Sequence, residues 1–82
     1  MAKPTNDEII EVFKESVKEV DQRIEVDAVD GNTSLAALGL DSVMTMEVIG
    51  ILEEKLDIRF PDEDLATLKS MGDLTSLVQR LA

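Results

Sequence analysis

Ile9, Ile10, Phe13, Val17 and Val20 recur at intervals of three and four residues, with Glu8, Glu11, Lys14, Glu15, Lys18 and Glu19 set between them. That spacing predicts an amphipathic helix from about Asn6 to Val20, opened by Thr5 and Glu8 at the separation of a capping box. Its charged face reads as solvated surface and is assigned no function. From Asp21 to Asp41 no period is sustained, and Asp30-Gly31-Asn32 signals a turn. A structureless stretch of this length is uncommon in a compact domain unless it is functional or pinned. Ile24, Val26, Val29, Leu35, Leu38 and Leu40 supply apolar anchors for pinning, and Leu35-Ala36-Ala37-Leu38 can close a helical turn.

A second helical pattern begins at Ser42 and runs to about Asp57. Plotted at about 100° per residue it separates two stripes. Thr45, Val48, Ile49, Leu52 and Leu56 form a continuous core face, while Val43, Met46, Glu47, Gly50 and Glu54 lie opposite and must meet water if the first stripe is buried. Pro61 then sets a turn and Asp62 starts a short third helix in "PDEDLATL". Ser70 and Asp73 form a second capping-box pair ahead of Leu74, Leu77, Val78 and Leu81, which predicts a last helix from about Met71 to Leu81. No repeat, low-complexity tract or linker interrupts the chain. The expected fold is all-α: a small four-helix bundle of three longer helices and one short one, with a long first loop, in a single domain over 1–82 structured from about 6 to 81.

Eighty-two residues give a thin core, since a domain this small hides only about 60% of the surface its unfolded chain exposes. Eighteen acidic against eight basic residues leave a net charge of −10. Such a chain repels nucleic acid and anionic membrane surfaces, so its partners should be basic. No lysine or arginine occurs between Arg23 and Lys55, whereas Glu25, Asp27, Asp30, Asp41, Glu47, Glu53 and Glu54 all lie there. The negative excess therefore surrounds Ser42. The absence of cysteine removes disulfides, thiolate nucleophiles and zinc-finger ligand sets, and makes the cytoplasm the expected compartment. The polar N-terminus "MAKPTNDE" has no apolar centre of a signal peptide, and no apolar run approaches the roughly 20 residues of a membrane span.

The conspicuous stretch is "LGLDSVMTME", where glycine and aspartate lead into Ser42 and a helix follows at once. A nucleophilic serine needs a base, usually histidine, and the chain has none. Lys55 lies thirteen residues further along the same helix, roughly 20 Å away at a rise of about 1.5 Å per residue. No catalytic residue is assigned. Calcium binding fails on spacing: with Gly31 at the sixth position of an EF-hand loop, Val26 and Ala28 fall where oxygen ligands are needed and Ala37 where the bidentate glutamate belongs. No metal site is assigned. Asp41-Ser42 taken alone is a helix N-cap pair. That reading leaves Val43 and Met46 on the water-facing side, next to a row of acids, unexplained, and the combination suggests a docking surface.

"GLDSV" followed by a helix, "EVIGILEEKLDIRFPDEDL" and the closing "SMGDL" resemble the acyl carrier proteins, whose phosphopantetheine arm sits on the serine of a Gly-x-Asp-Ser motif. The resemblance runs from about Asn6 to Leu81. It implies that Ser42 is the attachment point for 4'-phosphopantetheine, transferred from coenzyme A by a phosphopantetheinyl transferase. It further implies that Asp41 helps the transferase dock, and that Val43, Met46, Glu47, Glu53 and Glu54 meet basic partners such as a ketosynthase or an acyltransferase. On this reading the protein is a monomeric carrier and not an enzyme, and Ser42 is a substrate that needs no histidine.

Met44 stands where many carriers of primary fatty-acid synthesis have an acid, and Leu40 before the aspartate is more like polyketide carriers. The expectation is therefore a carrier presenting thioester-bound acyl intermediates in a polyketide or related natural-product pathway, with fatty-acid synthesis as the alternative. Leu40 argues against peptidyl carriers, which usually read Gly-Gly-His/Asp-Ser. Acidity as far as Lys55 leans toward a discrete carrier over a module of a larger synthase. A non-covalent acidic helical adaptor binding a basic partner is the competing class, and attachment of an arm separates the two.

Overall fold

A computed structural model describes residues 3–82; Met1 and Ala2, counted in the expected domain, lie outside the described residues. Helix α1 spans Asn6–Val20 and opens with the expected capping box. Thr5 Oγ1 accepts the Glu8 N–H at 3.1 Å, and Glu8 Oε1 accepts the Thr5 N–H at 2.9 Å. Its apolar stripe buries Ile9, Phe13 and Val17. Ser16 is buried with them and satisfies its hydroxyl by donating back to the Val12 carbonyl at 2.8 Å. Helix α2, Ser42–Leu56, lies against α1 through Val48, Ile49 and Leu52. The eleven-residue α4, Met71–Leu81, closes the core with Met71, Leu74, Leu77 and Val78. The short α3 covers Asp62–Leu65 behind Pro61. The all-α fold therefore has the expected elements, with Thr45 and Leu56 at the half-buried margins of the α2 stripe.

The loop between α1 and α2 is pinned in three ways. Val26 and Val29 enter the core, and Ile24, Leu35, Leu38 and Leu40 pack against it. Leu35–Leu38 closes a 3₁₀ turn that ends at Gly39, where φ of 79° favours a residue with no Cβ. A single antiparallel bridge joins Ser34 to Ser70, with the Leu35 N–H donating to the Lys69 carbonyl at 3.0 Å and the Met71 N–H to the Thr33 carbonyl at 2.8 Å. Just beyond the bridge, a Cβ on Gly72 would sit 2.9 Å from the Gly31 carbonyl oxygen, so the loop and the first turn of α4 approach at backbone distance. Lys55 of α2 reaches Glu19 at 2.9 Å and Glu15 at 3.8 Å, and ties the two long helices across their polar edge. Among the described residues no helix is long and apolar enough to cross a membrane.

Two residues of α2 depart from helical economy. Asp57, at its C-cap, takes the left-handed conformation with φ of 55°, and both its own N–H and that of Ile58 donate to the Glu53 carbonyl. Gly50 lies in the helix interior, where glycine costs about 0.8 to 1 kcal/mol relative to alanine. Nothing within 4 Å would meet a Cβ placed there.

Candidate functional site

The start of α2 divides two tasks between adjacent residues. Asp41 is the N-cap, and its Oδ1 accepts the Met44 N–H at 2.8 Å. Ser42 is the first helical residue and exposed, and among the described residues no hydrogen bond engages its hydroxyl. The cap pair expected from sequence thus resolves into a capping aspartate and a free hydroxyl. The hydroxyl stands at the positive end of a fifteen-residue helix, which favours an anionic substituent there.

Beside Ser42 an apolar cavity of about 360 Å³ leads toward the core. Asp41, Ser42 and Met46 stand at one end; Phe13, Val48 and Leu74, all nearly inaccessible, form its floor. The 3₁₀ turn supplies one wall through Leu35, and α3 with the segment that follows it supplies another through Leu65 and Leu68. Sequence reasoning missed these walls, because only the tertiary fold brings the loop and the short helix over α2. A phosphodiester at the exposed start of the helix and a slender chain directed into the cavity both fit the residues present.

The expected partner face is partly united and partly divided. Among the described residues, Val43 and Met46 are the large apolar side chains that remain open to water, 67% and 54% exposed. Glu47 and Glu54 are exposed on the same stripe, and among the described residues neither is held in an ion pair. Glu53 is set apart from them. It is half-buried, and its carboxylate already accepts the Phe60 N–H at 2.8 Å, which anchors the segment returning from α2. Its place on the helix turns it toward that segment rather than along the stripe.

Two comparisons bear on this arrangement. The family model for the phosphopantetheine attachment site matches residues 9–78. The chain is 31% identical over 77 residues to the meromycolate extension acyl carrier protein of Mycolicibacterium smegmatis, an alignment covering 94% of this chain and 78% of that protein. It is 36% identical over 78 residues to an acyl carrier protein of Rhodococcus erythropolis, covering 94% and 85%. It is 33% identical over 75 residues to an acyl carrier protein of an Arthrobacter species, covering 90% and 91%.

Proposed function

This chain belongs to the acyl carrier proteins of the phosphopantetheine-attachment family, carriers that are not themselves catalytic, and on that premise we propose that Ser42 bears the arm. The observation that carries this assignment is the exposed, unengaged Ser42 hydroxyl at the start of α2, beside an apolar cavity. The bound group supplies a thiol on a long flexible arm, on which acyl chains are held as thioesters. The chain's own residues do the rest. Asp41 keeps the first turn of α2 capped and leaves Ser42 facing outward, and the first N–H groups of the helix favour the phosphodiester charge. Phe13, Val48 and Leu74 offer an apolar floor against which part of the cargo can be sheltered from water. Val43, Met46, Glu47 and Glu54 present the surface on which a basic transferase and the later synthase enzymes dock.

For the pathway, Leu40 and Met44 support polyketide or related natural-product assembly. A second reading, long-chain acyl extension of the fatty-acid kind, is favoured by the similarity to the meromycolate extension acyl carrier protein of Mycolicibacterium smegmatis. The apolar lining of the cavity suits that cargo equally. The composition without cysteine supports action in the cytosol.

Intact mass measured before and after incubation with coenzyme A, magnesium and a broad-specificity phosphopantetheinyl transferase tests the assignment. The parent gains one arm. Ser42→Ala gains none and stays within about 0.5 kcal/mol of parental stability, as a surface change away from any cap should. Mass gained by the mutant moves the site to another serine, and a parent that gains none leaves the non-covalent adaptor. Amide spectra of the arm-bearing and acyl-loaded forms then separate the cargoes. A saturated long chain should shift Phe13, Val48 and Leu74, and a short polar chain should perturb only the surroundings of Ser42.

A further inference from the structure

Gly50 is the residue of the exposed α2 stripe for which the fold itself gives no reason. It lies mid-helix, where glycine is the poorest choice after proline, its backbone is helical, and a Cβ would enter open space. A side chain is missing where the folded chain would be better served by one. Two shallow surface grooves meet at this point. One runs past Glu47 and Ile51 toward Val20 and Glu19 of α1, the other past Asp57, Ile58 and the cationic Arg59 toward Leu81 of α4, and Gly50 and Glu54 line both. Glu47 and Glu54 stand one turn before and one turn after the glycine, on the same side of the helix. Resting on the docking face proposed above, we infer that Gly50 is a notch shaped for one arginine side chain of a basic partner protein.

The fit follows from shape and charge together. An arginine lying across α2 needs its flat methylene stem to touch backbone at the crossing, and any Cβ there lifts it away from the carboxylates. Once seated, its planar guanidinium can pair in a fork with Glu54 or Glu47, a geometry that a lysine ammonium does not offer. Neither carboxylate has an internal ion pair to give up among the described residues. Met46 and Val43, one and two turns toward Ser42, continue the contact in apolar form. The notch therefore acts on specificity by excluding partners that cannot lay a side chain flat against α2.

The test uses the full chain and a basic phosphopantetheinyl transferase, with kcat/KM for modification of Ser42 and melting temperature measured on each variant. Gly50→Ala and Gly50→Leu should melt at or above the parent, because both restore helix propensity. Gly50→Leu should lower kcat/KM by at least about tenfold, the lower end of what one misplaced methylene does in a fitted contact, and Gly50→Ala by less. Glu54→Gln should lower kcat/KM in the parent yet have little further effect in Gly50→Leu, since both substitutions disturb the same arginine. An undiminished kcat/KM for Gly50→Leu overturns the notch. If Glu47→Lys with Glu54→Lys slows modification while Gly50→Leu does not, the docking face stands and only the notch falls. If neither set changes the rate, the docking face falls as well.

Discussion

At the scale of single residues, the structure separates roles that neighbouring positions seem to share in sequence. Asp41 and Ser42 are both good caps, but only the aspartate is used, because its carboxylate reaches the Met44 N–H from the non-helical position ahead of the first turn. Ser42 has already entered the helix and is left with nothing to hold. Glu53 and Glu54 divide in the same way: one accepts the Phe60 N–H, the other is free in water. Glu53→Ala should therefore destabilise the fold by about 1.5 to 3 kcal/mol, the usual worth of a hydrogen bond to a charged group, while Glu53→Gln, which keeps an acceptor oxygen, should lose much less. Denaturant titration of the two variants measures this. Equal stability of Glu53→Ala and parent would return Glu53 to the partner face with Glu54. A helical plot could not make this distinction, because the donor belongs to a segment that returns only after the left-handed turn at Asp57.

Among elements, the legible part was whatever repeats. The stripes of α1 and α4 and both capping boxes rest on local spacing, and the structure places them at the expected residues. The stripe of α2 was legible too, although apolar residues on both of its faces blur its period; what settled the rotation was the continuity of Val48, Ile49 and Leu52. The order within the long loop was not legible. Its apolar anchors could be counted, but the bridge from Ser34 to Ser70 and the backbone approach of Gly72 to Gly31 join parts far apart in sequence, and no local pattern encodes them. Asp73 sits where the two kinds of information meet. As the third residue of α4 it completes a capping box, and its carboxylate accepts the N–H groups of Lys69 and Ser70 at 3.0 and 3.1 Å, so it also holds the segment that makes the bridge. Those backbone donors, Lys69 first, hold its carboxyl below the usual carboxylate range. Because the folded value lies under the unfolded one, the unfolded chain binds more protons as the solution is acidified. The contribution is complete above the ordinary aspartate value near pH 4 and disappears as pH falls through the lowered one. Asp73→Asn should therefore show a shallower loss of melting temperature than the parent on acidification below about pH 4. Parallel profiles would mean that the carboxylate charge adds nothing to the cap.

On the scale of the whole molecule, charge acts on folding and on encounter with opposite signs. Eighteen acids against eight bases leave a chain that repels itself, and the few ion pairs it makes lie at the edge of α1 and near Asp21, away from the docking stripe. Glu47 and Glu54 on that stripe thus carry their charge without an ion pair among the described residues. Salt should stabilise the fold by screening that repulsion, since the Debye length falls from about 30 Å at 0.01 M to about 10 Å at 0.1 M. The same screening should slow modification of Ser42 by a basic transferase, because attraction between exposed opposite charges chiefly raises the association rate. Over one salt series the melting temperature should therefore rise while kcat/KM falls. Glu47→Lys combined with Glu54→Lys should lessen both responses, giving a protein that melts higher at low salt and is modified more slowly with a flatter salt dependence. Met46→Ala should lower kcat/KM and leave the salt dependence nearly parental, since it removes contact area and no charge. A double reversal that melts higher yet is modified as fast as the parent at low salt would show that these carboxylates burden folding without serving encounter. The acidity of α2 would then be ordinary solvated surface, and the long first loop would become the place to look for the transferase.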